Sequence, residues 1–460
     1  MSETINRRSA SENPFYIMAT IYGENTDEID FDLSDQNRDV WNAWACQGLS
    51  KDEKDDLQKT YQGLMTYPRL IIPDWTEDLQ KTVNDAFAKR LPGGPIPDHS
   101  SDINFRGTDF KQPVGFVGFL FLKDAVFMNA QFTKAADFRF ATFTKHANFI
   151  GAEFTKAAIF THAQFTEGAN FINAQFTNAA SLMHARFTNR AHFRYAQFTQ
   201  GASFSYARFK EKACFTSSRF EAHSYFQGAI FSEALDFTDA SFARPVNFRQ
   251  ARFEKYYPIL EGTNLHGKTT LTAQPKYWPK ATDHSQYEGT YTQTLEKAAA
   301  GCAHLRHNMT AQGLPDDAHF FFRREMGCKL AMAGGVKKLP LWLYGKLSDY
   351  GYSYGRPLWW LIQLWLVWTL GYLVFHHSKG GFSKLTEDFS VLWSDWDAVF
   401  DAAGLSFANI FVFFGFHKRF DMKWSGDSNW LIAFTGLETI LGFILLFFLG
   451  LGLRNQFRLK

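Results

Sequence analysis

The sequence contains few cysteines and little net charge, and both shortages exclude classes of protein. Only four of its 460 residues are cysteine. None of them forms a C-x-x-C pair, so neither a disulfide framework nor a zinc site is predicted. The formal net charge is +2, which favours neither a nucleic-acid binder nor an acidic interaction tail.

The first residues are polar and lack the apolar run of a signal peptide. We therefore expect the N-terminal part of the chain to lie in the cytoplasm.

Recognisable catalytic motifs are also lacking. The sequence contains no P-loop, no G-x-S-x-G, no H-E-x-x-H and no glycine-rich dinucleotide turn. Cys302, His304 and His307 are close in sequence, but solvated or structural roles suit them better than metal binding. We predict that the protein is not an enzyme and that it holds no metal and no cofactor.

Phenylalanine, by contrast, is abundant and regularly spaced. From Phe105 to Phe253 it recurs at alternating steps of five and six residues, and of the 28 positions in this series only Leu182 is not phenylalanine. On a helix, at about 100° per residue, such steps would place the rings on different faces. Most of these rings follow a small residue two positions earlier, which puts both side chains on one face of a short strand. The predicted core includes Phe132, Phe143, Phe154, Phe165, Phe176 and Phe187.

Four such strands would close one square coil of 22 residues, so the 28 positions predict about seven coils within residues 101–255. Burying this many rings offsets the cost of ordering the chain, and a disordered tract is excluded. The spacing and the Ala-x-Phe signature resemble the pentapeptide-repeat family, in its variant with alternating five- and six-residue units. The resemblance implies a right-handed quadrilateral β-helix, but it implies no single activity.

Some members of that family imitate duplex DNA, which requires rows of acidic residues on the outside of the β-helix. Residues 121–255 instead contain 16 Lys and Arg against 10 Asp and Glu. Because the charge has the wrong sign, DNA mimicry is not expected, and we predict no nucleic-acid partner.

The regions on either side of the repeats are predicted to be helical. Residues 1–100 are predicted to form a helical cap that covers the open end of the stack, with a sensor or partner-binding role as the alternative. Its helical stretches lie near Asp35–Cys46, Ser50–Gly63 and Thr76–Leu91. Residues 256–355 are predicted to be a helical linker and juxtamembrane region that couples the repeats to the C-terminal domain.

Two long apolar segments lie in the last domain, residues 356–460. The stretch 358–375 has no charged residue, and the stretch 430–453 has only Glu438. At 1.5 Å per residue they reach about 27 and 36 Å, enough to cross a hydrocarbon core of about 30 Å. Basic residues before the first span and after the second predict cytoplasmic termini in the inner membrane.

The connection between the spans contains a third, shorter apolar helix. Residues 395–414 have helical spacing, but the helix is short and closely bracketed by charge. A third full span would also place the two ends on opposite sides of the membrane. A re-entrant helix is therefore predicted. The backbone where such a segment turns inside the membrane is tolerated only where it lines a cavity or packs in protein.

Helix, re-entrant helix, helix is the arrangement of two-span ion channels. The second span carries its one carboxylate on a stripe at three- and four-residue spacing, and an intramembrane carboxylate by default faces a wet interior. Packing alone is the competing explanation. A T-V-G-Y-G filter is absent, so potassium selectivity is not predicted. The candidate pore-lining residues are Thr435, Glu438, Gly442, Leu445 and Leu449 of the second span and Asn409, Phe411, Phe414 and Gly415 of the short helix.

Several short runs give a second resemblance, to bacterial pentapeptide-repeat membrane proteins with a C-terminal channel-like domain. These runs are Asn13–Tyr16, Phe321–Met326, Leu347–Ser353, Arg356–Pro357, Leu405–Asn409 and Gly452–Arg458. The resemblance implies a channel-like membrane protein with a cytoplasmic solenoid, and it leaves the permeant ion open.

Taken together, these features predict an α+β multidomain membrane protein. We expect an oligomeric ion channel, cation-permeable, whose two-span pore domain is coupled to a cytoplasmic β-helix. Two spans cannot enclose a pore, so the chain is expected to pair with itself as a tetramer or pentamer. The alternative is a poreless membrane scaffold or sensor whose β-helix binds protein partners.

Overall fold

The computed structural model describes residues 7–62, 72–279, 291–378, 395–416 and 429–458. The chain divides into two compact units, Met1–Ala331 and Met332–Lys460. The first unit contains a β-solenoid with helices at both ends, and the second consists of helices.

The solenoid is built from very short strands that pair in parallel into four sheets, as the repeat period predicts. In two of the sheets most strands end on the buried phenylalanine, as in Gln131–Phe132, and in the other two most begin on a buried alanine, as in Ala136–Asp137. Sheet A contains Arg8–Ser9, Thr108–Phe110, Gln131–Phe132, Glu153–Phe154, Gln175–Phe176, Gln197–Phe198, Arg219–Phe220 and Ser241–Phe242. Sheet B contains Ile103–Asn104, Ala125–Val126, Ala147–Asn148, Ala169–Asn170, Ala191–His192, Ala213–Cys214 and Leu235–Asp236.

The remaining two sheets complete the square cross-section. Sheet C contains Val114–Gly115, Ala136–Asp137, Ala158–Ile159, Ala180–Ser181, Ala202–Ser203, Ser224–Tyr225, Val246–Phe248 and Thr270–Leu271. Sheet D contains Leu120–Phe121, Thr142–Phe143, Gln164–Phe165, Arg186–Phe187, Arg208–Phe209, Ile230–Phe231 and Arg252–Phe253. Because paired residues are 22 positions apart, as Gln164 and Arg186 are, one coil takes 22 residues.

The core of the solenoid is a set of stacked phenylalanine columns. Phe165 is 1% exposed, and its ring lies 4.9 Å from that of Phe143 and 4.8 Å from that of Phe187, nearly parallel to both. All six rings predicted for the core are buried. The inward assignment of Phe and Ala is therefore confirmed.

One residue in each eleven-residue unit turns the chain with a positive φ angle. Asn129 has φ 57°, and the N–H of the following Ala130 donates to the carbonyl of Phe127 at 3.1 Å. Gly151 and His162 occupy the same position in later units. This conformation is sterically costly for most residues, which is why glycine and asparagine recur there.

The solenoid is one coil longer than the seven predicted, with about eight turns. Leu260, Leu265 and Leu271 continue the five- and six-residue steps, but they follow Phe253 after a step of seven. The inserted residue shifts the pairing to 23 positions, as between Asn247 and Thr270. The change from Phe to Leu and the odd step hid this coil from a search for phenylalanine.

Helices cover the N-terminal end of the solenoid. They are α1 (Pro14–Ala19), α2 (Phe31–Ala45), α3 (Lys51–Gln62) and α4 (Glu77–Arg90), with a 3-10 turn at Ala10–Glu12. The buried Asn42 of α2 accepts from the N–H of Leu120 at 2.9 Å and donates to the carbonyl of Gly118 at 3.1 Å. The amide of Asn42 therefore pairs with backbone groups of the first coil.

The C-terminal end is closed by aromatic packing and two further helices. After a 3-10 turn at Pro275–Tyr277, the ring of Trp278 stacks on Phe253 at 4.6 Å and contacts Phe321 edge-on. The helices are α5 (Tyr291–Ala311) and α6 (Pro315–Met332). The predicted linker 256–355 is thus split, because its first part continues the solenoid and its last part belongs to the second unit.

The second unit contains α7 (Lys338–Ser348), α8 (Gly355–Ser378), α9 (Trp396–Ile410) and α10 (Asn429–Arg458). Short 3-10 turns lie at Gly335–Lys337 and Val412–Phe414. Helices α8 and α10 are longer than the predicted spans 358–375 and 430–453, and α9 occupies the predicted re-entrant segment 395–414. Part of the connection between α8 and α10 lies outside the described residues.

Candidate functional site in the C-terminal helices

Two helices of the second unit are long and apolar enough to cross a membrane. Among the described residues they are Gly355–His376 and Trp430–Phe457, with mean hydropathies of 1.6 and 2.2. Many of their large apolar side chains are exposed, including Val367, Ile432 and Phe447. Such apolar surface is unsuited to water over this length, and these helices are the candidate membrane spans.

Helix α9 begins near the C-terminal end of α8 and the N-terminal end of α10. Its N-terminal Asp395 accepts a hydrogen bond from the N–H of Ala398, which caps the helix. Ala398 and Ala402 pack in one cluster with Leu373, near the end of α8, and Leu431, at the start of α10.

The other end of α9 lies much farther along α10. Ile410 packs in a second cluster with Leu361 and Leu445. A Cβ placed on Gly442 would lie 3.1 Å from the Cα of Ile410, so the two backbones meet there. Leu431 and Leu445 are 14 residues apart, which is about 21 Å of helix. Helix α9 therefore runs alongside α10 to about the middle of that span.

After this point the chain turns back. Phe411 packs in the same cluster as Ile410, and the 3-10 turn Val412–Phe414 ends on Gly415, which has φ 71°. The ring of Phe416 then lies 6.0 Å from that of Phe407, one turn back along α9. Residues 411–416 therefore fold back against the last turn of α9.

A buried polar network holds α9 to both spans. The carboxylate of Glu438 in α10 is fully buried. Its Oε2 accepts from the Tyr372 hydroxyl of α8 at 2.7 Å and from Asn409 Nδ2 of α9 at 3.1 Å. Its Oε1 accepts from the Ser406 hydroxyl, and Asn409 Nδ2 also donates to the Tyr372 hydroxyl at 3.0 Å. Three helices thus meet at one carboxylate whose two oxygens are both hydrogen-bonded.

Two tryptophans extend these polar contacts. Trp365 Nε1 of α8 donates to the carbonyl of Ala403 at 2.9 Å, and Trp368 Nε1 donates to the carbonyl of Phe434 at 3.0 Å. Both acceptors are helical carbonyls, so Trp365 adds one hydrogen bond between α8 and α9, and Trp368 adds one between α8 and α10. Partly buried donors of this kind help to rigidify a helix bundle because leaving them unpaired is costly.

The predicted pore-lining stripe lies on the packed side of α10 in a single chain. Gly442 and Leu445 contact the end of α9, and Leu449 packs beside them. Thr435, by contrast, is partly exposed and its hydroxyl returns to the carbonyl of Ile432. Glu438 therefore matches the packing explanation of the sequence analysis, and pore lining stays a prediction for an assembly.

The pore-lining candidates on and after α9 also differ in their surroundings. Asn409 is 8% exposed and belongs to the polar network, whereas Phe411 packs against apolar neighbours. Gly415 supplies the left-handed turn, and the backbone of Phe414 precedes it. Tyr372 and Ser406 were missed, because spacing along one helix identifies a face but not its partner on another helix.

No group of three His, Cys, Asp or Glu side chains within the described ranges is arranged to hold a metal ion. Of the residues considered for this role, Cys302 is fully buried, and burial raises the pKa of its thiol well above the usual value. A protonated, inaccessible thiol is a poor metal ligand.

Comparison with known proteins identifies the repeat region. A family model described as pentapeptide repeats (9 copies) matches overlapping stretches at 127–175, 149–197, 171–219, 184–230 and 226–273. No curated protein matches the chain, and no solved structure does. The matched stretches cover the stacked coils from residue 127 to residue 273, including the coil beyond Phe253. The repeat region of this chain therefore belongs to the pentapeptide-repeat family, and its solenoid precedes a helical unit with two candidate membrane-spanning helices.

Proposed function

We propose that the chain is the subunit of an oligomeric, channel-like membrane protein. Helices α8 and α10 cross the inner membrane, α9 enters it part of the way, and copies of this unit surround an ion path. The solenoid and both termini lie on the cytoplasmic side. The path of α9, which reaches the middle of α10 and turns back at Gly415, is the observation that carries this proposal.

The physical argument concerns the backbone after α9. Residues 411–416 are not α-helical, and backbone that leaves a helix at membrane depth is tolerated only where protein buries it or water lines it. In one chain Phe413 is 69% exposed and Phe416 is 46% exposed. A neighbouring copy or a shared aqueous path would complete the surroundings of this segment. Because two spans cannot enclose a path, a tetramer or pentamer is proposed.

We also propose that the channel is permeable to cations. A ring of Glu438 side chains from several subunits would attract cations, but in one chain both oxygens of Glu438 accept hydrogen bonds from α8 and α9. We propose that Glu438 fixes the position of α9 between the two spans.

The second candidate function is a poreless membrane scaffold whose solenoid binds protein partners. The same network favours it, because a carboxylate satisfied inside one chain gives no reason for a wet interior. Because the two functions share the membrane topology, ion flux is the measurement that distinguishes them.

A flux assay on purified protein in liposomes tests the proposal. We expect wild-type protein to release trapped ions. Gly442→Leu should abolish this release, because a side chain there would displace the tip of α9. Gly450→Leu on the same helix is the matched control, since a Cβ at Gly450 meets nothing within 4 Å. Liposomes that retain every ion tested, with folded and inserted protein, would favour the scaffold.

A further inference from the structure

The short helix α7 has one face packed and the opposite face apolar and exposed. Tyr344 and Gly345 are partly buried and Ser348 is buried. On the other side Val336, just before the helix, is 85% exposed and Trp342 is 47% exposed. The α7 apolar face, as we call it, comprises Val336, Leu339, Trp342 and Leu343. So large a group of exposed apolar side chains on one short segment calls for a partner.

The position of α7 is fixed at one end of the two candidate spans. The Tyr344 ring lies 5.7 Å from that of Phe448 in α10, and the carbonyl of Gly345 accepts from Arg356 at the start of α8 at 3.1 Å. Both contacts are made where α8 begins and α10 approaches its end. A helix held at this level of two membrane-spanning helices lies at the edge of the hydrocarbon layer.

The turn after α7 strengthens this attachment. Asp349, Tyr350 and Gly351 all have positive φ angles, and the Ser348 hydroxyl accepts from the N–H of Gly351 at 3.0 Å. Asn455 of α10 donates to the carbonyl of Gly351 at 2.8 Å. Two consecutive non-glycine residues in the left-handed region persist only where their surroundings hold them, so α7 is not a loosely tethered segment.

The charge of α7 is entirely positive. Lys337 and Lys338 are exposed at its start and Lys346 is exposed near its end, and the sequence contains no acidic residue between Lys329 and Asp349. At 100° per residue Lys346 falls within the α7 apolar face, where its long stem would lie among apolar groups and its ammonium would reach the headgroups. Apolar side chains combined with lysines are the signature of a helix that lies in the plane of a membrane surface.

We propose that α7 lies flat in the headgroup layer, with the α7 apolar face in the acyl boundary and its three lysines on anionic phosphate groups of lipids. The occupant of this face is thus the bilayer itself. The inference rests on the proposed membrane insertion of α8 and α10, and it adds a lipid class and a surface that the channel proposal does not require.

Site-specific quenching tests it in the full-length protein. The four native cysteines are buried, so a bimane probe would label a cysteine introduced by Val336→Cys. In vesicles of phosphatidylglycerol and phosphatidylcholine, a spin-labelled lipid should quench this probe at least about twofold more than aqueous iodide does. Ile440→Cys, on the exposed side of α10, reports insertion of the span. Lys81→Cys, on the exposed side of α4, reports an aqueous surface.

The outcomes separate the two proposals. Lipid quenching at residues 336 and 440 but not at 81 supports the inference. Quenching at 440 alone overturns it and leaves membrane insertion intact. Quenching at neither residue overturns membrane insertion, and the inference with it.

The lipid class has its own test. Lys337→Gln with Lys338→Gln should lower the affinity of the purified protein for phosphatidylglycerol, measured by native mass spectrometry, by about fivefold for each lysine removed. Lys81→Gln with Lys89→Gln is the control pair of equal charge change and should have no effect. An unchanged affinity in the first pair would overturn the preference for anionic lipid.

Discussion

Single phenylalanine residues in the solenoid contribute both buried area and ring stacking. Phe165 lies between two parallel rings, whereas Leu182 interrupts its own column between Phe160 and Phe204. An aromatic pair contributes about 0.5–1.5 kcal/mol beyond its buried area. The column position, rather than hydrophobicity alone, should therefore set the effect of a substitution.

We expect Phe165→Ala to lower the free energy of unfolding of the solenoid by about 3–5 kcal/mol, through the lost ring and the cavity it leaves. Leu182→Phe should be neutral or stabilising, because it completes a column. Hydrogen exchange of solenoid peptides, followed by mass spectrometry in the full-length protein, measures both. Equal effects of the two substitutions would contradict the column arrangement.

Two stacked histidines should make the solenoid sensitive to acid. The rings of His162 and His184 lie 4.7 Å apart and nearly parallel. Burial, and then nearby positive charge from His184 and Arg186, lowers the pKa of His162. Burial and the neighbours Arg208 and Arg186 likewise lower the pKa of His184. With a folded-state pKa below the unfolded value, the unfolded state binds more protons, so stability falls as the pH drops below about 6.5.

The expected result is faster hydrogen exchange of the peptides around His162 and His184 as the pH falls from about 7 to about 5, after correction for intrinsic exchange rates. His162→Gln with His184→Gln should reduce this dependence. His223→Gln, at an exposed position, should not. A pH dependence that survives the double substitution would assign it to other groups.

At the scale of elements, the contact of α2 with the first coil depends on Asn42. This side chain is fully buried and pairs with one backbone donor and one backbone acceptor. Asn42→Ala should lower stability by about 1–3 kcal/mol for each backbone group left unpaired. Asn84→Ala, on the solvent side of α4, is the control. Thermal unfolding that does not distinguish the two variants would rule out this role for Asn42.

Close helix packing in the second unit predicts opposite effects at two glycines of α10. A methyl group on Gly442 would meet the backbone of Ile410 at 3.1 Å, whereas one on Gly436 would meet nothing within 4 Å. Gly442→Ala should therefore lower the melting temperature of the detergent-solubilised protein. Gly436→Ala should raise it slightly, because alanine favours helix over glycine by about 1 kcal/mol. A stabilising effect at residue 442 would contradict the close approach of α9.

Some elements of the fold could be predicted from the sequence more completely than others. The phenylalanine steps define the strands of the solenoid, because a fixed period admits one stacked arrangement. The last coil was missed because Leu260 follows Phe253 after seven residues. The three helical stretches predicted before the repeats lie close to α2, α3 and α4, whereas the short helix α1 was missed. Helix α3 is preceded by Ser50, whose N–H donates to the Glu53 carboxylate at 2.8 Å.

The candidate site was less predictable than the fold. The face of α10 that carries Glu438 is evident from helical spacing, and the sequence contains no other charge in that span. Spacing along a helix does not identify the neighbouring helix. The hydroxyls of Tyr372 and Ser406 reach the carboxylate only because three helices separated in the chain meet there.

At the scale of the whole molecule, a β-solenoid precedes a helical unit with two candidate membrane-spanning helices in one chain. The solenoid presents repeated side chains on flat faces, which suits assembly or partner binding. The helical unit supplies the proposed path for ions. In the proposed assembly around an axis, copies of the helical unit would bring copies of the solenoid together.

Single-channel recording of the purified full-length protein in planar bilayers tests whether neighbouring copies line an aqueous path beside the turn at the end of α9. We expect discrete unitary currents from wild-type protein and none from Gly442→Leu. Silent bilayers across all ions and voltages, with insertion verified by lipid quenching at residue 440, would contradict it.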